Sequence, residues 1–222
     1  MKYILPALRY KLFMTLLLGL LYPLLMTAIA KVIFPRQASG EFISRGGQVV
    51  GAKLIAQKFE RPEYFWARPS AVDYNPLPSG GSNLGQASQD LKKAFDERVA
   101  KLKAAHADQT GEPPQDLLFA SGSGLDPHIS PEAARYQIGR VANARNKGKN
   151  LSIDQLQKLV DASTEPRQLG FFGESVVNVL ALNLALDKMQ GIETAPVFIP
   201  PPPASAGSNS SGSPLTNNPE SK

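Results

Sequence analysis

From Leu12 to Ala30 the chain runs nineteen residues without a charged side chain, LFMTLLLGLLYPLLMTAIA, closed by Lys11 and Lys31. At the helical rise this spans ~28 Å, close to the ~30 Å hydrocarbon thickness of a bilayer. Tyr10 and Lys11 at one edge and Lys31 at the other suit the two interfaces. Gly19 and Pro23 would weaken a helix in water, but both are tolerated in lipid beside neighbouring helices. The rival reading is a signal peptide cleaved after Ala30, because Ala28-Ile29-Ala30 has the small-x-small pattern. Its apolar core, however, exceeds the usual ~7–15 residues. The run therefore predicts a retained single-pass helix over 12–30, behind a basic segment at 1–11. That compact basic end, with Lys2, Arg9 and Lys11 and no acid, places the N-terminus in the cytoplasm and the body outside.

The charge of the whole chain, 24 Lys plus Arg against 19 Asp plus Glu, needs dividing before it is read. Residues 1–30 hold three cations and no acid, so the remaining 192 residues carry 21 minus 19, or +2. A body so balanced is no footprint for nucleic acid. The absence of Cys excludes disulfides, thiolate metal sites and a Cys nucleophile, and two His exclude a His-rich metal cluster.

Beyond Met189 the chain turns to Pro, Ser and Asn, with four consecutive prolines at 200–203. Such a stretch cannot build a core, so 191–222 reads as a disordered tail and 40–190 as the soluble domain. Within it, Gly46-Gly47 leads into QVVGAKLIAQKF, one or two short strands with a bend at Gly51. Residues 61–87, dense in Pro, Gly and aromatics, predict a fixed surface path without regular elements. Leu91, Phe95, Val99 and Leu102 recur at helical spacing and predict an amphipathic helix near 88–106. Asp116–Ser121 has the look of a short buried strand. Ser130-Pro131-Glu132 starts a helix, and Ser152-Ile-Asp-Gln155 is a capping box. A last helix, 175–189, is apolar around much of its circumference and should be central, with Asn178 and Asn183 needing hydrogen-bond partners. The fold class is α/β, or α+β with few strands.

No phosphate loop, dinucleotide fingerprint, zinc-protease motif or nucleophile elbow is present. Ser79–Asn83 and Ser121–Gly124 are rich enough in glycine to cradle an anion, yet tight turns explain both. Ser123, Asp126 and His128 are triad types crowded into six positions of a turn-rich stretch, which is no arrangement for a hydrolase.

Several blocks, in this order, carry a resemblance: PEYFWARPSAVDY (62–74), SGGSNLG (79–85), ASGSGLDPHISPEAA (120–134), QIGRVANAR (137–145) and GESVVNVLALNLALD (173–187). They are similar to the successive blocks of the KdpC family, the small C subunit of the bacterial high-affinity potassium-transporting ATPase, Kdp. The resemblance covers about residues 5–190. It implies a non-catalytic accessory subunit in the bacterial inner membrane, required for assembly and activity of ATP-driven potassium uptake. ATP hydrolysis would belong to a KdpB-like P-type ATPase subunit with a D-K-T-G loop, which this sequence does not contain. The potassium path would belong to a channel-like, KdpA-like subunit. The resemblance further implies a catalytic-chaperone role, raising ATP affinity of the B subunit through a motif like L-S-G-G-Q. The matching stretch is Leu151–Gln155, which makes Ser152 and Gln155 nucleotide-binding candidates. It departs at both glycines, and the capping box accounts for the same residues. With the body outside, ATP cannot reach them, and the role becomes a cap on the external potassium entrance. Asp73, Asn83 and Asp126, beside Gly- and Pro-rich loops, are then candidates for contact with potassium or a partner. The reading from another class is an exported stand-alone binding domain released after Ala30.

Overall fold

The computed structural model describes residues 3–146 and 151–192, and the expected tail from residue 193 onward lies outside the described residues. One helix runs from Ile4 to Ile33, long and apolar enough to cross a membrane, and its most apolar window is buried against none of the described residues. It comprises α1 (Ile4–Leu16), a π-helical turn (Leu17–Leu21) and α2 (Tyr22–Ile33). The wider turn directly precedes Pro23, whose missing N–H interrupts the i→i−4 ladder. A local π adjustment re-closes such a ladder. A short α3 (Pro35–Ala38) leads into the body.

The body opens with a hairpin, β1 (Phe42–Arg45) against β2 (Gln48–Ala52). Gly46 and Gly47 join them with φ of 57° and 80°, the two positive values a two-residue hairpin turn requires. No helix or strand interrupts 61–87, as its composition predicts. The amphipathic helix follows as α4 (Gln89–Ala105), with Ser88 Oγ accepting the Leu91 N–H at 3.4 Å. Where a buried strand was expected at 116–121, the chain forms a helical turn, α5 (Gln115–Leu118). Pro113 and Pro114 set the backbone up for a first turn. Leu117 and Leu118 are buried all the same, so the apolar run is a core element of another shape.

β3 (His128–Ile129), α6 (Pro131–Tyr136), α7 (Ile138–Arg145), α8 (Ile153–Ala162), β4 (Thr164–Glu165), β5 (Val176–Asn178) and α9 (Val179–Met189) complete the order. The three strands form one antiparallel sheet, β3-β5-β4. Small antiparallel sheets with helices make this the α+β case of the two considered. The last helix starts later than expected. Val176 and Val177 pair as strand, and Asn178 becomes the cap of α9, its Oδ1 accepting the Ala181 N–H at 3.0 Å. β-branched residues favour the strand, and Asn is a preferred cap.

α9 is the centre of the body. Val179, Leu180, Leu182 and Leu186 are buried against Leu156 and Val160 of α8, the alanines of α6, and Ile138 and Val141 of α7. Asn183, fully buried, reaches the irregular segment. Its Oδ1 accepts the Phe65 N–H at 2.8 Å and its Nδ2 donates to the Phe65 carbonyl at 3.0 Å. Phe65, itself fully buried, is thus bound as it would be by a neighbouring strand. Asn183→Leu keeps the volume but leaves both backbone groups unpaired, and each unpaired group costs about 1–3 kcal/mol. Urea unfolding of the detergent-solubilised chain should show a loss of about 2–6 kcal/mol on that basis, with the m-value unchanged.

Candidate functional site

The irregular blocks converge on one face. Ser121 N–H donates to the Pro69 carbonyl at 3.1 Å and Gly80 N–H to the Ser123 carbonyl at 2.9 Å, so 68–74, 79–85 and 120–128 are laced together. Gly124, at φ 69°, is where they touch most closely. A Cβ there would sit 2.7 Å from the Gly80 oxygen and from a Val72 methyl, so only glycine fits. Ser70 Oγ accepts the N–H groups of Val72 (3.2 Å) and Tyr74 (2.9 Å), and Tyr74 Oη donates to the Arg68 carbonyl at 2.7 Å. Burial raises the Tyr74 phenol well above its ordinary value. The two glycine-rich stretches therefore spend backbone groups on each other, as turns do.

The sequence candidates lie on this face but do not form one cluster of free ligands. Asp73, in the left-handed region at φ 50°, pairs with Lys58 at 2.8 Å. Asp126 pairs with Arg68 at 3.1 Å and accepts the His128 N–H at 3.0 Å. The hydrogen bond from the His128 ring, with help from Arg68, holds its carboxyl below the ordinary value against the opposing effect of burial. Asn83 is exposed, at φ 52°. Ser123 Oγ accepts the Leu125 N–H at 3.1 Å, a turn contact. Among the described residues no group of three or more acids and histidines could hold a metal ion.

Ser152 and Gln155 form the capping box in both directions: Ser152 Oγ accepts the Gln155 N–H at 3.2 Å, and Gln155 Oε1 accepts the Ser152 N–H at 3.0 Å.

Sequence reasoning passed over three features. Gln137 grips Trp66 from both sides, accepting its N–H at 2.7 Å and donating to its carbonyl at 3.1 Å. Arg140 lies 4.0 Å over the Trp66 ring and donates through Nε to His106 Nε2 at 3.0 Å. Their helix carried only a weak amphipathic pattern, and side chains directed inward are not marked in it. The third is a hairpin tip, where Gln168 and Phe172 exchange N–H···O bonds at 2.9 Å each. Around it Leu169, Phe171 and Phe172 are 82%, 66% and 55% exposed. Leu169 and Gly170 take φ of 52° and 84° to make the turn.

The profile of the family described as "KdpC: K+-transporting ATPase, c chain" matches residues 4–188. The chain belongs to the KdpC family. Among curated relatives it is similar to the potassium-transporting ATPase KdpC subunit of Geotalea uraniireducens (strain Rf4), 50% identical over 85% of this chain and 99% of the relative. The subunit of the same name from Serratia proteamaculans (strain 568) is 48% identical over 86% and 100% of the two chains. That from Methylococcus capsulatus is 50% identical over 83% and 97%. Membership in KdpC makes this chain a subunit of the potassium-transporting ATPase, and the long apolar helix agrees with membrane association.

Inside this KdpC domain His106 is a neutral base by construction. Its Nδ1 is 2.8 Å from the Leu102 carbonyl, which fixes Nδ1 as donor and Nε2 as acceptor from Arg140. Burial foremost, and the Arg140 charge with it, lower its pKa. The folded state therefore binds fewer protons than the unfolded chain below about pH 6.5, the ordinary His value. This contribution is complete above that pH and is lost as pH falls below it, by at most about 1.4 kcal/mol per pH unit. Denaturant midpoints at pH 7.5 and 5.5 should show the fall, and His106→Gln should flatten the difference.

Proposed function

We propose that the domain stands outside the membrane, docks on the partner subunits through its anchor helix and its apolar hairpin, and caps the external potassium entrance of a KdpA-like subunit. The observation that carries this reading is the 168–172 hairpin. Three large apolar side chains on one water-facing tip, with the Phe171 and Phe172 ring centres 4.2 Å apart, are what an interface leaves bare in a single subunit. The tip is linked through the preceding strand to the start of the body. It follows β4, whose Glu165 pairs with Lys53 at 3.4 Å; Lys53 N–H donates to the Glu41 carbonyl at 3.1 Å. Lys53 in turn lines one cleft with Arg36 of α3. A surface there meets the external loops of a membrane partner.

Orientation rests on the basic N-terminal end, and it separates the two roles considered. A cap contacts potassium only fleetingly. Asp73 and Asp126 hold partly exposed ion pairs, worth about 0–1 kcal/mol, which a passing cation can exchange with at little cost. Asn83 presents its amide oxygen without an ion pair. A catalytic-chaperone role through ATP at Ser152 and Gln155 would instead require the body in the cytoplasm and the capping box to open, at about 1 kcal/mol or more. The KdpB-like subunit supplies ATP hydrolysis in either case, and the bacterial inner membrane is where the assembly works.

Orientation is tested by adding the chain's only Cys at exposed Gln86, which leaves the Ser88 cap intact. A membrane-impermeant maleimide should label it in intact cells. Labelling only after permeabilisation would place the body in the cytoplasm and favour nucleotide assistance at Ser152 and Gln155. Docking is tested separately: Phe171→Ser with Phe172→Ser should lower co-purification of the large pump subunits several-fold while the solubilised chain keeps its unfolding midpoint. Undiminished co-purification would remove the hairpin from the interface.

A further inference from the structure

A cavity of about 220 Å³ opens between α4 and the 58–74 segment. Its apolar surface comes from Trp66, Tyr74, Leu102 and Leu117. Three cations and two acids share its wall, and they are unequally matched. Lys58 is taken by Asp73 at 2.8 Å and Glu60 at 3.4 Å. Arg98 donates from one Nη to the Leu118 carbonyl at 2.8 Å, and Lys101 lies 5.5 Å from the centre of the Trp66 ring. Neither Arg98 nor Lys101 has an acid within ion-pair distance among the described residues. The two stand three positions apart on α4 and so share one helix face. The wall carries one positive charge in excess, and the guanidinium keeps N–H groups in a fork that fits a carboxylate.

We propose that this cavity is a receptor for a single carboxylate carried on a short apolar stem. Excess positive charge excludes potassium as occupant. Glu60 and Asp73 in the same wall disfavour a dianion such as phosphate, since like charges at short range repel. The volume leaves room for an acidic side chain or a small free acid. Arg98 and Lys101 bind the carboxylate while the stem lies on Trp66 and Leu102. The acid can come from solution or from an aspartate or glutamate on a partner's loop, and the two share this chemistry.

The site carries its own reporter, because Trp66 is the chain's only tryptophan. The full-length chain in detergent is titrated with butyrate and, separately, with a capped Leu-Glu-Leu tripeptide, while Trp66 emission is followed. The neutral counterparts are butyramide and capped Leu-Gln-Leu. A saturable change with an acid and none with its amide is the expected result. Arg98→Gln with Lys101→Gln should weaken it by about tenfold or more, the loss of charge-assisted hydrogen bonds. Lys101→Gln alone, at an exposed position that cannot unfold the domain, should weaken it in the same direction. Asp73→Asn, which keeps a residue at ease in the left-handed region, should tighten it by releasing Lys58. Saturation by butyrate assigns a free acid as sufficient, and saturation by the peptide alone assigns the partner's side chain. No saturable change with either acid, equal responses to the amides, or midpoints indifferent to Arg98 and Lys101 would overturn the proposal.

Discussion

The body depends on side chains that serve as surrogate strands. A stretch such as 61–87, without helix or strand, must still satisfy every buried N–H and C=O. Here α9 and the α6–α7 corner supply the partners. Asn183 binds both backbone groups of Phe65, and Gln137 binds both of Trp66, so two successive residues are held in an amide-to-amide grip. Just before them, Arg145 donates to the Glu63 carbonyl at 2.7 Å and Arg140 to the Tyr64 carbonyl at 2.9 Å. One turn along α9, fully buried Asp187 accepts from Arg145 at 2.8 Å and sits 3.4 Å from Arg45 of β1. A buried carboxylate is tolerated only because its desolvation is offset by such partners. α9 therefore ties together the first hairpin, the irregular segment and α7, although the three are far apart in sequence.

That arrangement explains why one face of the body can be made of loops. Phe65 and Trp66, fixed from within, set the start of a path that runs through Arg68 and Ser70 to Tyr74, each turn closed by a hydroxyl or carbonyl of the same segment. The glycine loops then dock on it where a Cβ would collide, at Gly124. Rigid placement from below leaves exposed groups such as Asn83 and the α4 cations free for contacts outside the chain.

What the sequence made legible follows from how local each signal is. The capping box at Ser152, the Ser130-Pro131 start and the α4 stripe depend on neighbours within one or two turns, and all three stand where their spacing put them. The long apolar helix was visible for the same reason, although it extends past 12–30 because flanking Ile4–Lys11 and Lys31–Ile33 continue helical once the turn before Pro23 is widened. β1 was not legible, since four residues with two polar ones carry too little pattern and its existence depends on the Gly46-Gly47 turn. The 116–121 run was read as strand because apolar content does not distinguish a buried turn from a buried strand; the preceding prolines decided it. In α9 the sequence marked Asn183 as a residue in need of a partner but could not name Phe65, which is 118 positions away.

Several acids of the body are held in ion pairs. Asp73, Asp126, Asp161, Asp187 and Glu165 each lie within ion-pair distance of an Arg or Lys. A domain held near a potassium path with unpaired carboxylates in register would bind the ion and slow its passage, because conduction and uptake need sites an ion can leave. Pairing acids with cations on the surface removes that trap at a cost of near zero, the exposed pairs being worth at most about 1 kcal/mol. In the proposed position, Arg98 and Lys101 of α4 would repel the ion locally, over a range of about 8 Å at physiological ionic strength. On the proposed reading, shape and docking surface are what such a subunit contributes: it can shield and brace the entrance of a pump without competing for what the pump carries.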